Sequence, residues 1–177
     1  MSDTKEEFSL ATSRCREVFE KKMKDYGPAW RIMRPESVTD QIFIKVNRIR
    51  SLETKQTHQV DEGIQPEFIA IVNYGLIALI QMELGYADAT DITASEALRL
   101  YDKHLAATTE LMYAKNHDYD EAWRTMRVSS YTDLILMKIY RTKQIEDHKG
   151  QTLVSEGVEA NYMDMINYAL FALIRLE

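Results

Sequence analysis

Apolar residues recur mostly three or four positions apart along this chain, the spacing of one helix face rather than of a strand. Only 6 glycines and 3 prolines interrupt the 177 residues, so almost no strand is expected. A first helix is predicted over residues 5–24, where the Gly-Pro break in "DYGP" follows. Another is predicted from Thr93, which has Glu96 at capping-box spacing, to about His117.

Two middle helices are predicted to begin at similar segments, "SVTD" (37–40) and "SYTD" (130–133). Ser37 with Asp40, and Ser130 with Asp133, have the spacing at which side chains pair with the exposed amides of a helix start. We therefore interpret both aspartates as capping residues rather than catalytic ones.

The third helix of the first half, around residues 68–80, is apolar on every side apart from Asn73 and Tyr74. This pattern is typical of a helix buried at the centre of a bundle. Its counterpart, "YMDMINYALFALI", repeats the pattern and adds one carboxylate, Asp164. Both runs are shorter than the roughly 20 residues that cross a bilayer, so no membrane association is expected.

The chain contains an internal repeat, which explains the paired segments. Residues 25–48 and 118–141 are identical at 13 of 24 positions with an offset of 93, and residues 63–83 and 157–177 at 8 of 21 with an offset of 94. Two copies are too few to stack as a solenoid. We predict one all-α globular domain over 1–177, a helical bundle of two tandem three-helix repeats, 1–84 and 92–177, joined by the acidic linker 85–91. A pseudo-twofold axis would relate the repeats, so that matched positions face a shared groove.

Composition excludes several classes of function. The net charge of -6 and the pI near 5.3 argue against broad nucleic-acid binding, which needs a clustered basic face. The single cysteine, Cys15, excludes an internal disulfide and a cysteine-cluster zinc site. The first ten residues are polar and acidic, unlike a signal peptide, and we expect a cytoplasmic protein.

Two cation pairs are the first candidates for ligand binding. Lys45 and Arg48 lie one turn apart on the middle helix, and Lys138 and Arg141 reproduce them in the second copy. Arginine offers a planar fork and lysine a point charge, a combination that suits phosphate. The alternative is that these are surface cations, or that they pair with the abundant acids of the chain.

Buried polar positions are the second group of candidates. Asn73 and Asn167 lie in apolar helices, where an unpaired amide costs about 1–3 kcal/mol, so each needs a partner. Asp164 shares a face with Asn167 and must find a cation, a metal or a proton. Copy one has Ala70 at that place and offers Glu67 one turn earlier. Asp164 and Glu67 are therefore the candidate magnesium ligands, although a structural ion pair explains them equally well.

Aromatic pairs recur in the "DYxxAW" segments that follow the first helix of each copy. They are Tyr26 with Trp30, and Tyr119 with Trp123. One ring of each pair could stack on a nucleobase. Core packing is the simpler interpretation, since duplication copies core and site residues alike.

The order of these motifs resembles a known family, the bacterial and phage domain called nucleotide modification associated domain, formerly a domain of unknown function. Copy one carries the resemblance at Lys22, Asp25, Tyr26, Gly27, Ala29, Trp30, Lys45, Arg48, Ile49, Asn73 and Tyr74. Copy two carries it at Lys115, Asp118, Tyr119, Ala122, Trp123, Lys138, Arg141, Asn167, Tyr168 and Ala169. The resemblance covers most of the chain and implies an association with nucleotide metabolism.

The helical plan is also similar to that of the all-α pyrophosphohydrolases of the MazG and dimeric dUTPase type. That similarity implies magnesium held by acidic motifs on consecutive helices. Here the middle helix carries lysine and arginine where the first acidic motif would stand, so any such enzyme would be degenerate.

Two hypotheses follow. The first is a nucleotide-binding or nucleotide-processing protein that holds a small nucleotide, with or without magnesium. The second is a non-catalytic helical interaction or scaffold module that acts through a protein partner or as a homo-oligomer. Repeated cations that line an open groove would favour the first hypothesis, and cations closed onto Asp164 and Asp133 would favour the second.

Overall fold

The computed structural model describes residues 2–55 and 60–177, apart from the side chains of residues 2, 60–62 and 119. This part of the chain forms six α-helices and no strand. The helices are α1 (Ser2–Tyr26), α2 (Pro35–Lys55), α3 (Val60–Leu84), α4 (Ala94–Tyr119), α5 (Val128–Asp147) and α6 (Val158–Arg175). A short 3-10 turn follows α1 at Ala29–Ile32 and α4 at Ala122–Thr125. The all-α prediction with three helices per repeat is confirmed.

The packing of the helices follows the pseudo-twofold relation. The central helices α3 and α6 pack against each other, α2 covers α3, α5 covers α6, and α2 also packs against α5. Two reciprocal hydrogen bonds cross the α2–α5 interface: Thr39 donates to Glu146 over 2.9 Å, and Thr132 donates to Glu53 over 3.0 Å. Both members of one bond lie 93 positions from their counterparts in the other, as an internal twofold requires.

Helix α3 is the predicted buried helix. Phe68, Leu76 and Ile80 are fully buried, and its polar Gln81 is buried as well. A Cβ at Gly75 would lie 2.6 Å from Cγ1 of Ile166, so glycine allows α3 and α6 to approach closely. By length and composition alone, the segment Gly63–Leu84 could cross a membrane, but 61% of its most apolar window is buried within the protein. Burial against α2 and α6 explains the apolar composition of α3.

Helix starts test the predicted caps. Thr93 accepts a hydrogen bond from the Glu96 amide over 3.1 Å, which confirms the cap of α4. The prediction that α2 and α5 begin at "SVTD" and "SYTD" is wrong, because the helices begin two residues earlier, at Pro35 and Val128. Proline is well suited to the first helical position, since its fixed φ matches the helix and no amide is left unpaired. In α5 the preceding Arg127 makes no side-chain cap.

The segment between α3 and α4 contains no helix and is held by one buried arginine. The Arg31 guanidinium donates to Asp91 over 2.8 Å and to the Gly85 carbonyl over 2.6 Å. Its repeat-two counterpart, Arg124, instead donates to Glu7 of α1 over 2.7 Å. Arg31 therefore ties its 3-10 turn to the segment 85–91, and Arg124 ties its turn to α1. The boundaries 1–84, 85–91 and 92–177 stay a prediction.

Candidate functional site

Each repeat encloses a cavity of its own, built from its first helix, its 3-10 turn and its third helix. The repeat-one cavity has a volume of about 320 Å³ and the repeat-two cavity about 460 Å³. Their walls correspond, with Lys22, Met23, Trp30, Asn73, Tyr74 and Ile77 in repeat one matched by Lys115, Asn116, Trp123, Asn167, Tyr168 and Phe171. The two cavities have no lining residue in common. The matched positions thus line two separate cavities, contrary to the expectation of one shared groove.

A charged cluster forms one wall of the repeat-two cavity. Nζ of Lys115 lies 2.8 Å from Oδ1 of Asp164, and Nζ of Lys138 lies 2.9 Å from Oδ2. The three residues come from α4, α5 and α6, so the cluster depends on the packing of the whole repeat. Burial lowers the pKa of Lys115, but the hydrogen bond and charge of Asp164 outweigh this, and the pKa is raised. Asp164 is thus shared by two cations, and Glu156 is the second acid among the lining residues.

Three buried polar atoms on the walls of the same cavity have no hydrogen-bond partner in the described chain. They are Oδ1 of Asn116, Nε1 of Trp123 and Oδ1 of Asn167. Their side chains belong to residues that are 8%, 5% and 5% exposed. Each such group costs about 1–3 kcal/mol when it stays unpaired, which makes the cavity a candidate for a polar ligand.

The orientation of Asn167 is fixed by a contact that repeat one shares. Its Nδ2 donates to the Thr108 carbonyl over 3.1 Å, as Nδ2 of Asn73 donates to the Cys15 carbonyl over 3.1 Å. In repeat one the remaining amide oxygen accepts from the Tyr101 hydroxyl over 2.7 Å. The residue that corresponds to Tyr101, 93 positions earlier, is Phe8, which has no hydroxyl. Oδ1 of Asn167 therefore has no partner in the described chain and stays available to a donor.

An outer groove of about 1020 Å³ adjoins the repeat-two cavity. It lies between α5 and the segment 148–157, with Arg50 of α2 at its edge. Lys138 and Glu156 line both the groove and the cavity, so the two spaces meet at these residues. Arg141 also lines the groove and forms no ion pair with the described residues.

The predicted phosphate ligands of repeat one are arranged differently. Lys45 and Arg48 both face Glu67, at 3.6 Å and 3.1 Å. Neither residue lines the repeat-one cavity. Of the four predicted cations, Lys45, Arg48 and Lys138 pair with an acid, and Arg141 opens onto the outer groove. Lys138 pairs with Asp164, whereas Asp133 forms no ion pair with the described residues.

The predicted stacking residues are partly packed by the protein itself. Trp123 stacks on Phe171 with ring centroids 4.8 Å apart, and the Arg124 guanidinium lies 4.5 Å from the same indole. Trp30 is buried with its ring tilted against Phe19, whereas Tyr26 is 57% exposed at the repeat-one cavity. The Tyr119 side chain lies outside the described residues. Stacking on a nucleobase stays a prediction.

The candidate magnesium ligands do not form a site by themselves. Asp164 and Glu67 lie in different repeats, and each is already placed between two cations. Magnesium requires several oxygen ligands, and the described residues contain no group of three or more acidic, histidine or cysteine side chains that could hold a metal ion. These donors do not fit an ion held by the protein alone.

Comparison with family models assigns both halves of the chain. The model of Nucleotide modification associated domain 1 matches residues 22–82 and 115–176. The chain belongs to this family. Each matched span starts at the lysine of its cavity and includes the 3-10 turn and most of the third helix, so it contains most of the cavity wall in both copies. Searches among curated proteins and among solved structures gave no match.

Several lining residues escaped the sequence analysis as functional candidates. Lys115 was visible only as a repeated motif position, although it is a direct partner of Asp164. Asn116 was detectable as a polar replacement for Met23 on an otherwise apolar helix face. Arg50 and Glu156 gave no signal, because their place at the groove depends on how α2 and the segment 148–157 pack around α5.

Proposed function

We propose that this protein binds a phosphorylated nucleotide in repeat two, with the nucleoside in the repeat-two cavity and the phosphates in the outer groove. The family links the chain to nucleotide modification without naming a ligand. The observation that carries the proposal is that two unlike spaces share Lys138 in their walls. On one side is a cavity with unpaired polar atoms, and on the other is a groove whose lining includes Arg50 and Arg141.

The charges along this path suit an anion. Four cations and three acids line the two spaces: Lys115, Lys138, Arg141 and Arg50, with Asp164, Glu156 and Asp133. Arg141 forms no ion pair with the described residues, and its guanidinium fork has the geometry that recognises phosphate oxygens. Inside, unpaired amide oxygens accept hydrogen bonds and the Trp123 indole donates one, so a nucleobase edge can satisfy both kinds of group.

The finer form of the proposal concerns chemistry. A protein similar to the MazG-like pyrophosphohydrolases would bring a magnesium nucleotide, with the ion carried largely by the phosphates. Asp164 is neutralised by two lysines, so we expect binding with little or no hydrolysis, as in a degenerate member of that enzyme type. We place this activity in the cytoplasm.

The alternative function is a helical interaction module. It is favoured by the closure of Lys45 and Arg48 onto Glu67, and by exposed apolar residues at matched positions of α2 and α5. Ile44 and Met137 are 55% and 38% exposed on the outside of these helices. A protein partner or a second copy of the chain would cover them.

Thermal denaturation separates the two functions. The midpoint is measured with nucleosides and with nucleoside mono-, di- and triphosphates, with and without magnesium. A ligand at a hundredfold excess over its dissociation constant adds about 2.7 kcal/mol of stability. We expect a shift with phosphorylated ligands that is lost in Arg141→Ala.

The matched control is Arg48→Ala, which removes the equivalent cation of repeat one and should keep the shift. A flat panel at millimolar ligand would reject nucleotide binding and favour the interaction module. Equal loss in both variants would reject the placement in repeat two.

A further inference from the structure

We infer that the repeat-one cavity is a second ligand site, specific for a compact apolar molecule with a hydrogen-bond acceptor at its buried end and a negative charge at its outer end. This inference does not depend on nucleotide binding in repeat two. The cavity volume of about 320 Å³ lies at the lower end of the usual range of small-molecule sites.

The buried end of the ligand is specified by Trp30. This residue is 7% exposed, lines the cavity, and its Nε1 has no hydrogen-bond partner in the described chain. An indole N–H can only donate, so the missing partner is an acceptor such as a carbonyl oxygen. The surrounding wall is apolar, with Phe19, Met23 and Ile77 among its residues.

The same wall disfavours a nucleobase. The amide side chain in this wall is that of Asn73. Its Nδ2 already donates to the Cys15 carbonyl, and its Oδ1 already accepts from the Tyr101 hydroxyl. No other buried unpaired side-chain atom lines the cavity among the described residues. Beyond the Tyr26 and Tyr74 hydroxyls, the lining side chains offer few acceptors to the N–H groups of a base, so its buried donors would be poorly paired. A ligand without N–H donors is favoured.

The outer end of the ligand is specified by Lys22. This lysine lines the cavity and is exposed, and it forms no ion pair with the described residues. Its counterpart Lys115 is neutralised by Asp164, but repeat one has Ala70 at that position. The uncompensated ammonium group selects an anionic substituent such as a carboxylate.

Methoxycoumarin acetate is a suitable probe, because it combines a flat apolar ring, a lactone carbonyl and a carboxylate, and it has no N–H group. Binding to the full chain is followed by calorimetry and by the probe's fluorescence. We expect one molecule per chain. Trp30→Phe should weaken binding about tenfold, the equivalent of one hydrogen bond.

Two further variants test the charge and the space. Lys22→Met should weaken binding of the acid but not of its methyl ester, whereas Lys21→Met, whose lysine pairs with Glu17 at 3.0 Å, should change neither. Ala70→Leu should abolish binding by filling the cavity, and it keeps the test open if Trp30→Phe does not fold.

Three outcomes would overturn the inference. They are the absence of binding at millimolar probe, wild-type affinity in both Trp30→Phe and Ala70→Leu, and displacement of the probe by a nucleotide that binds in repeat two. The last outcome would place the probe in the other cavity and would leave the nucleotide proposal intact.

Discussion

In repeat one the carboxylate that meets the cations of the middle helix is Glu67, whereas in repeat two it is Asp164, about one helical turn further along the third helix. Glu67 meets Lys45 and Arg48, whose side chains are 31% and 63% exposed. Asp164 meets Lys138, whose side chain is 10% exposed, on the wall of a cavity. The acid is mostly buried in both repeats, and the difference lies in the middle-helix cations, which reach water in repeat one whereas Lys138 is enclosed in repeat two.

Both repeats retain the side-chain hydrogen bonds that hold the helices together. Each central asparagine donates to a carbonyl of the first helix of its own repeat, and each α2–α5 threonine donates to a glutamate across the interface. What differs is which side chains face the cavity: Met23 against Asn116, Ala70 against Asp164, and, next to the asparagine, Tyr101 against Phe8. A shared framework has therefore acquired two different binding surfaces, and the following substitutions test that difference.

The largest effect is expected from Asp164→Ala. This change leaves the ammonium group of Lys138, a residue 8% exposed, without its acid, and removing one partner of a buried pair costs about 3–5 kcal/mol. Urea denaturation measures the loss. Glu67→Ala is the matched control and should cost about 1 kcal/mol or less, because Lys45 and Arg48 can reach water.

Equal losses in the two variants would remove the distinction between a buried and a surface cluster. Adding Lys138→Met to Asp164→Ala should recover much of the stability, since no unpaired charge then stays buried.

The next effect is expected from Gly75→Ala at the crossing of α3 and α6. Alanine gains helix propensity, but its Cβ would lie 2.6 Å from Ile166, and overpacking of this kind costs about 1–3 kcal/mol. The matched position is Ala169, which is fully buried. Ala169→Gly should lose about 1 kcal/mol from the cost of glycine in a helix. A Gly75→Ala variant that melts above the wild type would show that α3 and α6 can separate without cost.

A smaller effect is expected from exchanging the residues that distinguish the two asparagines. Tyr101→Phe leaves Oδ1 of Asn73 unpaired and should cost about 1–2 kcal/mol. Phe8→Tyr offers a hydroxyl to Asn167 and should raise stability, while it competes with a ligand donor and weakens nucleotide binding. Denaturation and binding are measured on the same preparations. If the free energy of unfolding changes with the same sign in both variants, the hydroxyl of Tyr101 is not what distinguishes the two asparagines.

The fold was largely predictable from sequence, because helix periodicity and an internal repeat both leave a direct record in the order of residues. The buried third helix, the cap at Thr93 and the pairing of two three-helix repeats are confirmed. The starts of α2 and α5 were not predicted. Helix α2 begins at Pro35 and α5 at Val128, in each case before the serine whose spacing indicated a cap.

The candidate site was less predictable, because it depends on which helices meet. The sequence indicated that Asp164 needed a cation and named Lys138 and Arg141, whereas the structure pairs Asp164 with Lys138 and Lys115. Nothing in the spacing of the residues favoured Lys115 over Arg141. The separation into two cavities follows from the packing of each first helix on its own third helix, and spacing along the chain does not reveal it.

The smallest effect concerns the pH dependence of the α2–α5 interface. Burial raises the pKa of Glu146 from 4.5 to about 7, opposed by the Thr39 hydrogen bond and assisted by the charges of Glu36 and Asp40. The folded state therefore holds a proton that the unfolded chain has released, so this group's contribution is present below about pH 4.5 and is lost as the pH rises through about 7.

Glu146→Gln imitates the protonated form and should remove this loss, so that the variant exceeds the wild type by on the order of 1 kcal/mol above pH 7, a modest gain because the carboxyl is only half-buried. The measurement is the free energy of unfolding in urea across this range of pH. Glu53 is the matched residue, and its pKa is also raised by burial, partly offset by its hydrogen bond from Thr132. Glu53→Gln should act in the same direction and less strongly, because the positive charge of Arg50 opposes the rise in the pKa of Glu53, whereas Glu36 and Asp40 both add to the rise at Glu146. If the free energy of unfolding of both variants depends on pH as that of the wild type does, both carboxylates are solvated and the reciprocal hydrogen bonds do not bury them.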